Sequence, residues 1–174
     1  MFAPLGFVFF LSARVMKMSY SAGQLSFWLF AALMGLSLAS IFKVYTGTSI
    51  ANAFFTTAVA FGAMSLFGYT TKKDLSGMGR FLFMGVIGLI VAMIINWFTQ
   101  SPGLEFAINV LGVLIFAGLT AYDTQNIKNT YLSLRSSPNG EQIAAKAGIL
   151  GALSLYINFL NMFMFLLQFM GNRE

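Results

Sequence analysis

The sequence predicts an all-α, polytopic membrane bundle, and three observations carry that reading. Hydrophobic residues make up 58% of the 174 residues and charged residues only 9%, against roughly 45–50% and 25% in soluble domains. The apolar residues gather in six runs, most of them near the ~20 residues with which a helix crosses a bilayer. The Lys and Arg residues fall between the runs and are weighted to one side of the expected membrane.

This composition excludes an ordinary cytosolic enzyme, a disordered regulator and a nucleic-acid binder. The net charge of +5 and pI near 9.7 come from basic residues spread over short loops, with no basic aromatic stripe, so no nucleic-acid partner is expected. The lipid bilayer is the expected surrounding. Without cysteine there is no disulfide, thiolate nucleophile or Cys-based zinc site. Without histidine the usual general base and commonest metal ligand are missing.

The first run, residues 2–13, is short for a span. It has no basic region before it, and Arg14 and Lys17 follow it, so it does not read as a cleavable signal peptide. It reads as a short first span or as the back half of a helix that starts upstream. The second run, 24–42, ends at Lys43. The third, 50–69, ends in the polar stretch Thr70-Thr71-Lys72-Lys73-Asp74. The fourth, 81–98, stops at Gln100-Ser101-Pro102-Gly103, a breaker. The fifth, 106–127, follows Glu105, a favourable charge at a helix N-terminus. The sixth, 149–169, follows the longest expected loop, Lys128 to Gly148, which holds the turn signature Ser136-Ser137-Pro138-Asn139-Gly140. All six belong to one transmembrane domain.

Alternate loops set the topology. Arg14, Lys17, Lys72, Lys73, Arg80, Lys128, Arg135 and Lys146 fall on one side, and Lys43 and Arg173 on the other. The richer side is cytosolic, which places both chain ends outside. Small residues at four-residue spacing, Ala31-Gly35-Ala39 and Ala58-Gly62, are expected to let helix backbones approach closely.

An ionisable side chain at the centre of a membrane helix costs roughly 2.5–3.5 kcal/mol, so it marks a functional candidate. Asp123 is the only acidic residue inside an apolar run. It lies about 7.5 Å along the axis from Lys128, so two readings stand: a functional carboxylate, or an interfacial Asp touching water. An Asp near a helix C-terminus opposes the dipole, and a nearby Arg would repay this. In the sixth run Ser154, Asn158, Asn161 and Gln168 share one helical stripe. That stripe reads either as interhelical hydrogen bonding, worth about 0.6 kcal/mol per side chain, or as the polar wall of a cavity. Asn96 and Asn109 read as interfacial. No catalytic set assembles, so an enzyme is not expected. An intramembrane aspartyl protease needs two carboxylates sharing a site, and only one lies in a run.

At Gly118-Leu119-Thr120-Ala121-Tyr122-Asp123-Thr124-Gln125-Asn126-Ile127-Lys128 the chain resembles the Bax-inhibitor family, also called the transmembrane Bax inhibitor motif family, and in particular its bacterial branch. Two further stretches agree in order and spacing: Thr70-Thr71-Lys72-Lys73-Asp74-Leu75-Ser76-Gly77-Met78-Gly79 and Ala152-Leu153-Ser154-Leu155-Tyr156-Ile157-Asn158-Phe159-Leu160-Asn161. The resemblance implies a seven-helix fold with the last helix central and the amino terminus cytosolic. This chain would then lack the family's first helix, which accounts for its outward amino terminus.

The resemblance also implies a multi-pass protein of the bacterial inner membrane. Its expected activity is a pH-influenced calcium leak, with calcium ions as cargo and no resident cofactor. The alternative is a non-conducting regulator of a membrane-bound protease or of a stress or cell-death complex. In the family's channel mechanism two aspartates on the last two helices sense pH, and an Arg latches the first. By motif the first aspartate is Asp123, which is also the expected weak calcium site, and the latch falls near Arg14. The second aspartate position holds Asn158, with Ser154 and Asn161 on the neighbouring wall. An Asp–Asn pair has one titrating proton and no like-charge repulsion. Any pH response is therefore expected to be weaker or shifted downward. Counting rise per residue leaves Asn158 about 18 Å from Lys146, so the two side chains meet only if the helices tilt or the fifth extends into the cytosol.

Overall fold

The computed structural model describes residues 19–135 and 140–172. Within them run five long helices: α1 Tyr20–Leu38, continued by a 3-10 turn Ala39–Lys43, then α2 Gly47–Thr70, α3 Ser76–Thr99, α4 Pro102–Leu134 and α5 Gly140–Met170. All are long and apolar enough to cross a membrane. The expected count of six spans is not matched. Five are found among the described residues, and the first run, residues 2–13, lies outside them, as does Arg14.

Short polar residues start the helices. Ser19 Oγ accepts from Ala22 N at 3.3 Å, Thr46 Oγ1 from Ser49 N at 3.2 Å, and Ser101 Oγ from Leu104 N at 3.4 Å. Each satisfies an N–H that has no intrahelical partner. Before α3, Asp74 Oδ1 accepts from Ser76 N at 2.9 Å. Hydrogen bonds from Ser76 hold the Asp74 carboxyl below its ordinary range. The contribution of such a lowered group is present above its unfolded pKa and is lost as pH falls through the folded one. Asp74 is therefore silent near neutral pH. Between α3 and α4, Gln100 takes the left-handed conformation at φ 46°, and Asn96 Oδ1 fixes the turn by accepting from Ser101 N at 3.0 Å.

The last two helices exceed their apolar runs. The stretch Lys128–Gly148, expected as a loop, is mostly helical, because α4 continues to Leu134 and α5 begins at Gly140. Hydropathy marks where a helix leaves the bilayer. It does not mark where the backbone stops hydrogen bonding, and polar residues such as Asn129, Thr130 and Gln142 continue a helix in water.

These two helices also form the centre. Buried residues make up 44% of the most apolar window of α5 and 39% of that of α4, against 11%, 11% and 6% in α1, α2 and α3. Among the described residues the centre is thus a pair, where the last helix alone was expected. α5 packs on α4, α2 and α1, while α3 packs on α4. Leu89, Ile108, Phe116, Leu119, Met162 and Phe165 form the main cluster, with the Phe116 and Phe165 rings stacked at 5.9 Å. At the outer end Tyr45, Ala53, Phe163 and Leu167 cluster. There Asn172 N donates to Ser49 Oγ at 3.0 Å, and Thr46 N donates to Asn172 O at 3.3 Å. The end of α5 is thereby tied to the start of α2. The opposite faces are apolar and open: Leu36 is 74%, Trp97 80% and Phe98 83% exposed. Lipid solvates such faces, and the Trp97-Phe98 pair at the end of α3 matches the aromatic belt of a membrane boundary.

Among the described residues the glycines that bring helices together are not those expected from spacing. Among the described residues nothing lies within 4 Å of a Cβ built at Gly35 or Gly62, and both are exposed. The close approaches are elsewhere. A Cβ at Gly68 would stand 2.8 Å from Ala121 Cα and nearer still to its carbonyl oxygen, and one at Gly79 would stand 2.6 Å from the Tyr122 ring. One at Gly151 would stand 2.5 Å from Ile127.

Candidate functional site

The site is organised by five consecutive residues of α4, of which four reach different parts of the bundle. Ala121 is fully buried and lies against the backbone of Gly68 in α2. Tyr122 covers Gly79 in α3. Asp123 Oδ2 accepts from Asn158 Nδ2 of α5 at 2.7 Å. Gln125 reaches the α2–α3 loop, where its Oε1 accepts from Leu75 N at 2.9 Å and its Nε2 donates to Lys73 O at 2.8 Å. Thr124 serves its own helix, its hydroxyl donating to Thr120 O at 2.8 Å. One turn of helix therefore fixes α2, α3, α5 and the α2–α3 loop around a single carboxylate.

A cavity of about 600 Å³ opens between α4 and α5, on the side of the bundle that holds the end of α4 and the start of α5. Its walls include Ile127, Leu150 and Leu155, and its polar groups include Asp123, Ser154 and Lys128. The Lys128 ammonium donates to Tyr69 O at 2.8 Å and sits 4.8 Å from the centre of the Tyr69 ring. Its charge is thus seated on the end of α2 and does not neutralise Asp123. Among the described residues Asp123 carries no cationic partner, and its one side-chain hydrogen bond is to Asn158.

Stability does not explain Asp123. An interhelical hydrogen bond in a membrane returns about 0.6 kcal/mol on average. A carboxylate at the helix centre costs roughly 2.5–3.5 kcal/mol, and even about a third of that exceeds the return. Buried hydroxyls here follow a different pattern: Thr57 and Thr120 are fully buried and donate to Ala53 O and Phe116 O of their own helices. Such bonding satisfies a polar side chain locally.

The structure divides the expected polar stripe. Asn158 is buried on Asp123, while Ser154 lines the cavity. Asn161 does not belong to the cavity: its amide donates to Ile157 O of its own helix at 2.8 Å. Asn109, expected at the interface, is buried at 3% exposure, and its Oδ1 has no partner among the described residues. The distance problem between Asp123 and Asn158 is resolved by the extension of α4 to Leu134. Arg14 lies outside the described residues. Sequence reasoning overlooked Gln125, although an amide two residues from Asp123 in an apolar helix has no water to satisfy it and must find a partner.

Replacing Gln125 with Ala leaves the Leu75 N–H and Lys73 carbonyl without this partner. The expected cost is about 1–3 kcal/mol. Faster amide hydrogen exchange, localised to the α2–α3 loop, checks it. Uniform exchange across the bundle is the contrary result.

The fold and site define a multi-pass helical membrane protein with one intramembrane carboxylate held between its two central helices. The family description "Inhibitor of apoptosis-promoting Bax1" matches residues 1–174, and the chain belongs to this Bax-inhibitor family. A protein of Caulobacter vibrioides, named only as uncharacterized, is 59% identical over 155 residues, covering 88% of this chain and 60% of that relative's length. "Inner membrane protein YbhL" of Escherichia coli strain K12 is 48% identical over 174 residues, covering 99% of this chain and 73% of the relative. An uncharacterized protein of Rickettsia prowazekii is 43% identical over 174 residues, covering 100% of this chain and 72% of the relative. The chain is a multi-pass protein of the bacterial inner membrane.

Proposed function

We propose that this Bax-inhibitor-family protein is a calcium leak channel in which Asp123 is the gate carboxylate. The observation that supports it most is the 2.7 Å bond between Asp123 and Asn158, which joins the two central helices at the cavity. A gate belongs where one group controls the contact between the helices that bound a pathway. On the outer side, the unpartnered buried oxygen of Asn109 offers a polar foothold for a cation in α4.

Calcium is cargo in this reading. Among the described residues no group of three or more His, Cys, Asp or Glu side chains gathers, whereas bound calcium usually takes six to eight oxygens. Asp123 supplies carboxylate oxygen to a passing ion, and water supplies the rest. A weak site suits conduction, since a tight one would hold the ion. The latch arginine that the family resemblance implies falls near Arg14, which lies outside the described residues.

A second reading is a non-conducting regulator of a membrane-bound protease or a stress or cell-death complex. It draws on the Gln125 clamp, which gives the loop Thr71–Leu75 a fixed shape for a partner. Calcium influx into proteoliposomes separates the two. Loss of influx in Asp123→Asn supports the channel. Unchanged influx, together with altered turnover by a partner protease, supports the regulator.

A further inference from the structure

We propose that the cavity between α4 and α5 binds lipophilic monocations, with the charge at Asp123 and the apolar body against Ile127, Leu150 and Leu155. The inference uses the position of Asp123 and not its gating, so it stands apart from conduction. Four observations carry it.

The volume of about 600 Å³ falls in the range of ligand pockets, roughly 300–1,000 Å³. Apolar surface dominates the walls, alongside polar side chains that include Thr124, Asn126, Thr130 and Ser154, and such a mainly apolar, mixed lining suits an amphiphile better than a hydrated ion. The one acid in the cavity, Asp123, has no cationic partner among the described residues and only Asn158 as a side-chain hydrogen-bond donor. An anion would have to lie against this carboxylate. Finally, the Tyr69 ring lines the same cavity and already receives a cation, the Lys128 ammonium 4.8 Å from its centre. A ring that accepts ammonium on its face accepts other soft cations there.

Lys128 is the opposing charge. Its ammonium is held at Tyr69 O, about 7.5 Å along the α4 axis from the level of Asp123. It weakens cation binding without occupying the carboxylate, so removing its charge strengthens binding.

Equilibrium dialysis of tetraphenylphosphonium against the purified protein in neutral detergent tests the proposal. Tetraphenylborate, an anion of nearly the same shape, and protein-free micelles serve as comparators. Saturable binding of the cation but not the anion is expected. Asp123→Asn should weaken it about tenfold or more, and Lys128→Gln should tighten it. Ala147→Trp, which fills the cavity away from Asp123, should abolish it. The proposal is overturned if the anion binds as well as the cation, which would indicate an apolar or anionic-lipid groove. It is also overturned if the cation shows no saturable binding above micelles, or if a folded Asp123→Asn or Ala147→Trp protein binds it unchanged.

Discussion

Gly68→Val is expected to destabilise the bundle by about 3 kcal/mol, at the upper end of the usual overpacking cost. The atoms a side chain would meet belong to the Ala121 backbone, in the middle of a long helix. A flexible neighbour could swing away, but a helix backbone moves only with its whole turn. That turn carries Tyr122, Asp123 and Gln125, so the shift would also disturb the carboxylate and the loop clamp. Gly79→Ala should cost less, because the Tyr122 ring it meets can rotate. Gly35→Ala and Gly62→Ala meet nothing within 4 Å among the described residues, and should be neutral or gain up to about 1 kcal/mol from helix propensity. Heating the detergent-solubilised variants and following the soluble, monodisperse fraction ranks them. Equal loss for Gly68 and Gly35 would contradict this packing.

Asn158→Asp is expected to give calcium flux a steep pH response near neutrality. The substitution keeps the shape of the side chain and places two carboxyls where Asp123 and Asn158 now bond at 2.7 Å. Two carboxylates that close cannot both ionise freely, so the pair shares a proton and titrates as a unit. In the unmodified chain the amide donates to the carboxylate without any proton of its own to lose. Its flux should therefore vary little across the same range. No histidine is present to add a second sensor, and Asp74 is silent near neutrality. A steep neutral-pH response in the unmodified protein would contradict this, and so would a flat one in Asn158→Asp.

Much of this arrangement is legible in the residues. Asp123 stands out because an acid in an apolar run must be explained, and Asn158 because it shares a helical stripe with Ser154. Their pairing is less legible, since it depends on where α4 ends. The apolar run stops near Ile127, yet the helix continues to Leu134, and a ruler laid on hydropathy misjudges the register of α4 against α5. The glycines show a second limit. Gly35 and Gly68 look alike in sequence, and only the path of the neighbouring helix decides which one meets a backbone. Asn161 shows a third. It lies on the same stripe as Asn158, but an amide can bond back to its own helix, and spacing alone does not tell that state from an amide facing a cavity.

The central claim, that Asp123 gates a calcium path, is tested most directly by the initial rate of calcium influx into proteoliposomes holding matched amounts of folded unmodified protein and Asp123→Ala. Influx in the unmodified protein above that of empty vesicles, lowered about tenfold or more by Asp123→Ala, is the predicted result; this corresponds to roughly 1.4 kcal/mol of barrier. Equal influx in the two, or none above empty vesicles in either, would contradict it.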